Sequence, residues 1–422
     1  MGLDQVVHDL FGSDVPIRFV GYDGTDIGPK DAAATITVES PQALAQMIYA
    51  PGELGLARAY VMGDITLDGD IYAVLDLRRR IDNLQISPRV ALRLARTAGI
   101  GNLRPPPIPP EEHRSRDRAH TKSKDAEVIA HHYDVSNDFY AMVLGPSLTY
   151  SCGVFYSPDD SLELAQKQKH DLICQKLGLA PGMRMLDIGC GWGTMALHAA
   201  ESYGVDVVAI TLSRNQAELA RRRVEQHRLA DRVEIRIQDY RDLSEQPFDA
   251  ISSVGMFEHV GLERLSLYFT KARSLLVPEG RMLNHAISRT TSTQRAKAAP
   301  RGFINRYVFP DGALHEVGSV ISTMQDNGFE VRHMENLREH YALTLRHWVA
   351  NLEANWDAAV AQVGPRRARV WRLYMAGSAV SFEDHEISID QVLAVNPTEN
   401  GSSGFPLRPD WRSIRDQTIE TG

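Results

Sequence analysis

A chain of 422 residues is too long for one hydrophobic core of ordinary size, so two domains, or one domain with a sizeable extension, are expected. With 43% apolar residues and a formal charge of −8 the composition is that of a soluble globular protein, which excludes any global attraction to nucleic acid or anionic lipid. Three cysteines, Cys152, Cys174 and Cys190, make neither a disulfide framework nor a paired metal motif, so no metal site is expected and a reducing cytoplasm fits best. The first residues hold no basic segment followed by an apolar one, and no apolar run approaches the ~18 residues of a membrane span. Gly2 is followed by Val6, where a myristoylation signal needs Ser or Thr. The expectation is a protein with neither a secretory signal nor a membrane-crossing segment.

Residues 1 to about 100 alternate short strand-like runs (17–20, 34–38) with helix-like ones (41–49, 71–80), separated by Asp-Gly and Pro-Gly turns. They predict a small α+β domain over 1–103 without a catalytic cluster. Between 88 and 98, Arg89, Arg93 and Arg96 recur at helical spacing beside Val90, Leu92 and Leu94, just after Arg78, Arg79 and Arg80. Such a basic face can rest on anionic lipid headgroups, at about 1 kcal/mol per charge, or belong to an ordinary solvated or interdomain helix. The proline-rich stretch 104–110 reads as an extended spacer. The charged run 111–118 is not expected to pack, which places a linker at 104–118 and a second domain at 119–422.

That second domain opens with a helix over 126–131 that stops near the capping and turn residues of 132–140, and a further helix over 162–179. Arg184-Met-Leu-Asp-Ile-Gly-Cys-Gly-Trp-Gly-Thr194 then joins an apolar strand to a helix through glycines 189, 191 and 193. Glycines at such a turn let a ligand approach backbone N–H groups at the positive end of the helix. Strands and helices alternate after it, at 205–210, 216–226, 233–237, 250–254, 264–276 and 281–286. The pattern is α/β with a mostly parallel sheet, whose ligands lie beyond the carboxyl ends of the strands. The residues at those ends are Thr211-Leu212-Ser213 with Gln216, then Gln238-Asp239-Tyr240, then Gly255-Met-Phe-Glu258-His259. A carboxylate at 239 can accept from an adenine amino group and the ring at 240 can stack on a base. The segment 289–309 suits a lid, or an ordinary surface excursion. The helices at 343–356 and 365–382 read as core or channel wall.

The Asp-x-Gly-x-Gly-x-Gly turn resembles motif I of S-adenosylmethionine (SAM) methyltransferases rather than a dinucleotide fingerprint. Together with Tyr150-Ser-Cys152, Thr211-Leu-Ser213 and Gln216, Met256-Phe-Glu-His-Val-Gly261, Phe303-Ile-Asn-Arg-Tyr-Val-Phe-Pro310 and His340-Tyr-Ala-Leu-Thr-Leu345, in that order, it is similar to the cyclopropane-fatty-acid synthase family, which includes the mycolic-acid methyltransferases. The likeness runs from about 120 to 395. Gly52-Glu-Leu-Gly-Leu-Ala-Arg-Ala-Tyr60 with Gly63-Asp64 resembles the extra domain of the longer, phospholipid-acting members. Phe405-Pro-Leu-Arg-Pro-Asp-Trp411 is similar to actinobacterial members that place a methyl or methylene branch on oleoyl chains, of the tuberculostearic-acid type.

The resemblance implies a Rossmann-like fold with a seven-stranded sheet and a SAM-dependent reaction on a cis double bond of a phospholipid acyl chain. It implies that Tyr150, Ser151, Asp187, Gly189, Cys190, Gly191, Gly193, Thr211, Leu212, Gln216, Gln238, Asp239 and Tyr240 hold SAM. It further implies that Cys152, Glu258, His285, the backbone at Ile287, and Tyr341 cradle a bicarbonate that acts as base. An alkene is a poor nucleophile, so alignment against the electron-poor methyl in a dry pocket must supply much of the barrier reduction, up to ~7–11 kcal/mol. The cation that attack leaves must be shielded and lose one proton, giving a cyclopropane, or after a hydride shift a methylene branch. A methyl branch would need a partner reductase. Cys152 as a covalent nucleophile is the weaker reading, since thioester chemistry needs a paired base and leaves the SAM site without a purpose. The implied place is the inner face of the membrane, with peripheral contact, and a homodimer is the base-rate expectation. Two other readings stay open: a methyltransferase for a small soluble nucleophile, and a lipid-binding protein that keeps the fold without catalysis.

Overall fold

A computed structural model describes residues 2–12, 14–77, 88–99, 104–113, 136–290, 302–309 and 314–411, with the backbone alone at 88–92, 259 and 262. The chain forms two compact units. One takes Met1–Arg116, Lys297–Pro310 and Asn355–Val380; the other takes Asp117–Ala296, Asp311–Ala354 and Ser381–Gly422.

The first unit carries a four-stranded sheet in the order β2-β1-β3-β4, from β1 (Arg18–Gly21), β2 (Asp26–Ile27), β3 (Ala34–Val38) and β4 (Ile65–Gly69). β1 and β3 run parallel and the outer pairs antiparallel. Helices Leu3–Phe11, Gln42–Tyr49 and Pro88–Ala98 bury Leu3, Val6, Leu44, Met47 and Leu94 in one cluster, as their helical spacing requires. The helix Glu53–Met62 was not predicted. Gly52 at φ 94° and Gly63 at φ 83° bound it, conformations that only glycine adopts without strain. The helix expected over 71–80 is described for Ile71–Leu75, and Arg78, Arg79 and Arg80 lie outside the described residues. The side chain of Arg89 lies outside them too, while Arg93 pairs with Asp9 at 2.5 Å. That arginine is committed inside the unit. The charged run after the prolines was expected not to pack, yet Glu112 is buried beneath Arg58, with bonds of 2.8 and 2.7 Å, because a paired guanidinium offsets the cost of burying a carboxylate. Arg306 and Tyr307 close on the same carboxylate at 3.4 and 3.3 Å.

The second unit is built on a seven-stranded sheet in the order β10-β11-β9-β8-β5-β6-β7. Its strands are β5 (Arg184–Ile188), β6 (Asp206–Thr211), β7 (Val233–Ile237), β8 (Phe248–Val254), β9 (Leu276–Arg289), β10 (Glu330–Asn336) and β11 (Ile387–Val395). β5 to β9 pair in parallel, and β11 and β10 add antiparallel pairs at one side. The fold is therefore α/β and mostly parallel, as expected. The chain runs outward through β5, β6 and β7 and returns to β8 on the other side of β5. Strand order switches between β5 and β8, and that is where such sheets bind ligands. Two apolar clusters line the sheet, one around Met185, Leu197 and Val207 and the other around Leu186, Ile251 and Phe269. Sequence reading ended a helix near 132–140, whereas Ser136 caps a helix that starts there, Asn137–Leu144, its Oγ accepting from Phe139 N at 3.2 Å. The expected helix over 126–131 lies outside the described residues, as do 291–301 of the expected lid segment. No described helix is long and apolar enough to cross a membrane.

Candidate active site

Every residue expected to hold SAM lines one cavity at the carboxyl ends of β5 to β8, except Gly193. Gly193 instead caps the helix Thr194–Tyr203 at φ 79°. The glycine turn was expected to present backbone N–H groups, but those of Gly189 and Cys190 donate to Ile210 O at 2.9 and 3.0 Å, and that of Gly193 to Cys190 O at 2.9 Å. At those three positions the N–H groups are engaged within the fold. Gly189 has φ +80°, and a Cβ there would lie 2.9 Å from Met256 Cβ; a Cβ on Gly191 would meet nothing within 4 Å, so it borders open space.

Asp187, at the end of β5, is buried. Ser252 donates to Oδ1 at 2.5 Å, while Oδ2 has no partner among the described residues. Burial pushes its carboxyl up to about 6, against the Ser252 bond and the charge of Lys169. An ionised carboxylate held dry with one oxygen unused suits a cationic amino group. Across the turn, Thr211 Oγ1 bonds Gln216 Oε1 at 3.0 Å, and Ser213 caps the helix Arg214–Gln226 by accepting from Gln216 N at 3.3 Å. Asp239 is bound by its own turn, accepting from Arg241 N and Nε at 2.9 and 2.8 Å. Tyr240 stands edge-on to Tyr268, with ring centres 5.1 Å apart.

Several wall residues were missed in the sequence, and two of them are buried and ionisable. Lys169 and His170, on the helix Leu162–Leu177, are both buried and both line the cavity. Lys169 Nζ donates to Ser151 Oγ at 3.0 Å and lies 3.0 Å from His170 Nε2. Burial lowers its pKa to about 7, against the pull of Cys152 and Asp187. Burial likewise keeps His170 far below the usual histidine range, so its ring is neutral. A lysine inside a helix normally reads as a solvated residue, and no signal in the sequence marks these two.

None of the residues expected to hold the anion lines that cavity, whose wall stops at Met256 and Val260 on either side of Glu258. The fold nevertheless ties most of them together by backbone. Glu258 Oε1 accepts from Ile287 N at 2.7 Å, and Ile287 lies two residues along β9 from His285, hence on the same face. Ile287 faces Ile389 on β11, whose carbonyl accepts from Leu337 N at 2.9 Å. The carbonyl of Leu337 in turn lies 3.7 Å from Cys152 Sγ. Tyr341 follows one turn later on the helix Arg338–Ala354, its N–H bonding Leu337 O at 3.1 Å. Its ring meets Trp348 edge-on at 6.0 Å, and Trp348 packs on Tyr150 at 5.3 Å, which links Tyr341 to the cavity wall.

Cys152 is set by its neighbours. Gly153 N donates to Thr344 Oγ1 at 2.9 Å, and Ser151 O accepts from Gln166 Nε2 at 2.8 Å. Burial raises its thiol far above the ordinary range, so it is a weak neutral donor and not a thiolate nucleophile. Burial also raises Glu258, opposed by the Ile287 bond, and pushes His285 well down. Glu258 Oε2 and His285 Nε2 are both buried, with no partner among the described residues. Buried polar atoms are normally hydrogen-bonded, so each of these two has capacity for a polar guest.

A family model for mycolic acid cyclopropane synthetase matches residues 120–392. The chain is 45% identical over 408 residues to a probable fatty acid methyltransferase of Mycobacterium tuberculosis, covering 94% of this chain and 95% of that protein. It is 35% identical to the cyclopropane-fatty-acyl-phospholipid synthase of Escherichia coli, over 88% of this chain and 90% of that one. Among solved structures it is similar to a mycolic acid cyclopropane synthase complexed with SAH and CTAB, at 35% identity and TM-score 0.61, covering 64% of this chain and 97% of that chain. The cavity at the β5–β8 switch and these relatives agree, and the chain belongs to the mycolic acid cyclopropane synthetase family of SAM-dependent methyltransferases.

Proposed function

We propose that the protein transfers the methyl group of SAM to the cis double bond of an unsaturated phospholipid acyl chain, with bicarbonate as the bound base. The supporting observation is the pair of buried atoms, Glu258 Oε2 and His285 Nε2, without partners among the described residues, on groups beside the carboxyl end of β8, where the SAM cavity also lies. When bound, SAM supplies an electron-poor methyl group and bicarbonate supplies a proton acceptor. Asp187 Oδ2 holds the donor's amino group, Thr211 and Gln216 hold its polar groups, and Gly189 and Gly191 admit it close to the backbone. Glu258 accepts from the anion's hydroxyl, while His285, the Cys152 thiol and Tyr341 offer donors around it. Aromatic rings at 140, 150, 192 and 348 keep water from the reacting carbons. The protein works as a peripheral enzyme on the inner face of the membrane, where its substrate lies.

Vesicles of oleoyl phospholipid incubated with labelled SAM and this protein test the reading. Lipids should gain one CH₂ by mass spectrometry, and fragmentation assigns a cyclopropane or a branch. Labelling of a soluble small molecule instead, or turnover unaffected by removing bicarbonate, would overturn it.

A further inference from the structure

Behind His285 lies a buried chain of polar groups to which neither SAM binding nor the anion site assigns a role. Lys176, Gln391 and His285 are each fully enclosed. Gln391 faces His285 across the β11–β9 pair. Lys176 Nζ donates to Gln391 Oε1 at 2.7 Å, and Gln391 Nε2 lies 3.1 Å from His285 Nδ1. Burial lowers the pKa of Lys176, and the ion pair with Glu335 opposes that and favours the ammonium, which the face of Trp411 at 5.5 Å also suits.

An ammonium has only donors, so it must meet the amide oxygen, and this decides which way Gln391 points. The amide nitrogen then has only hydrogens to offer His285 Nδ1, which must accept. In a neutral imidazole the ring proton therefore belongs on Nε2, the buried atom without a partner among the described residues. We propose that Lys176 acts through Gln391 as a positioning residue that fixes His285 as its Nε2–H tautomer, so that a hydrogen-bond donor faces the bound anion. An imidazolium would set two donors against each other at Nδ1. The deep burial that keeps this ring neutral acts in the same direction. The assignment rests on the anion reading above for its purpose, although not for its geometry.

The full-length protein carrying ¹⁵N-labelled histidine tests it, with His285 assigned by difference from the His285→Gln variant. A two-bond ¹⁵N–¹H correlation should place the proton of His285 on Nε2 in the native protein. Gln391→Glu sets an acceptor against Nδ1 and should move the proton there, lowering kcat about 100-fold with KM for SAM unchanged within twofold. Lys176→Met frees the amide to turn over and should give both tautomers. A native His285 protonated on Nδ1 overturns the inference, and that measurement needs no variant at sites 176 or 391 to fold. So does a Gln391→Glu variant with the tautomer unmoved. Turnover of the native protein with and without dissolved bicarbonate separates the two ideas: independence from bicarbonate sinks the anion and leaves the tautomer standing.

Discussion

Asp187 and Lys169 face a common problem, two buried charges in the wall of one cavity. Burial has moved both toward neutral pH, the acid to about 6 and the base to about 7. If Asp187 receives the donor's cationic amino group, it must be ionised to do so. The dissociation constant for SAM should then rise as pH falls through about 6, where the carboxyl takes up its proton. Asp187→Asn should remove that rise and weaken SAM by about 10- to 100-fold at pH 7.5, the loss of one charge-assisted bond at ~1.5–3 kcal/mol. Calorimetric titration across pH measures both, and a variant keeping the native pH profile sinks the role. Glu258 carries a different expectation, because it lies outside the SAM cavity. Glu258→Gln should bind SAM as the native protein does while losing about 100-fold or more in turnover, the usual size of a misplaced proton transfer. Weakened SAM binding in that variant would place Glu258 in the donor site instead.

The turn after β5 offers a sharper test, because its glycines differ in what surrounds them. Gly189→Ala puts a Cβ 2.9 Å from Met256 Cβ at φ +80°, and should cost about 1–3 kcal/mol in denaturant unfolding. Gly191→Ala meets no atom within 4 Å and should cost only about 1–2 kcal/mol of backbone strain, yet lose SAM affinity because its methyl enters the cavity. Equal losses of affinity and stability in both variants would refute this division. The turn was legible in the sequence because β5 reads as an apolar run ending in glycine; β6 and β8 also read as apolar runs, whereas β7, the last strand of the sheet, alternates. β11 was not legible. Ile387-Ser-Ile-Asp-Gln-Val-Leu-Ala-Val395 is almost wholly buried, but Ser388, Asp390 and Gln391 interrupt both apolar run and alternation. Their partners, Ser288, Asn336, Lys176 and His285, come from distant parts of the chain, and spacing cannot announce them. The helix Leu162–Leu177 hides its lysines for the same reason. It buries Gln166, Gln168, Lys169, His170 and Lys176 around much of its circumference, so an amphipathic reading finds no polar face to assign to water.

At the scale of the chain, the first unit is assembled from three separated segments, while the family match begins only at residue 120. The sequence places a proline-rich spacer there, and a fragment starting at residue 119 looks like a catalytic domain cut free. The bonds inside the first unit argue otherwise. Arg372, nearly buried, donates to Tyr60 Oη, Leu67 O and Gly69 O at 3.4, 3.4 and 3.1 Å, and Arg306 and Tyr307 close on Glu112. Cutting at 119 keeps Arg372, Arg306 and Tyr307 but removes every one of those partners. A hydrogen bond from a charged group contributes about 1.5–3 kcal/mol, and the cut removes several at once. We therefore expect the 119–422 fragment to melt at least about 5 °C below the intact chain in calorimetry and to bind a hydrophobic dye before its main transition. Arg372→Met in the full chain should lower the melting temperature by a smaller step in the same direction, since it removes the stranded charge along with its bonds. A fragment as stable as the whole, and active on lipid vesicles, would show that the first unit is an appendage; a fragment that unfolds would show that the segments at 297–310 and 355–380 need residues 1–116 to complete them.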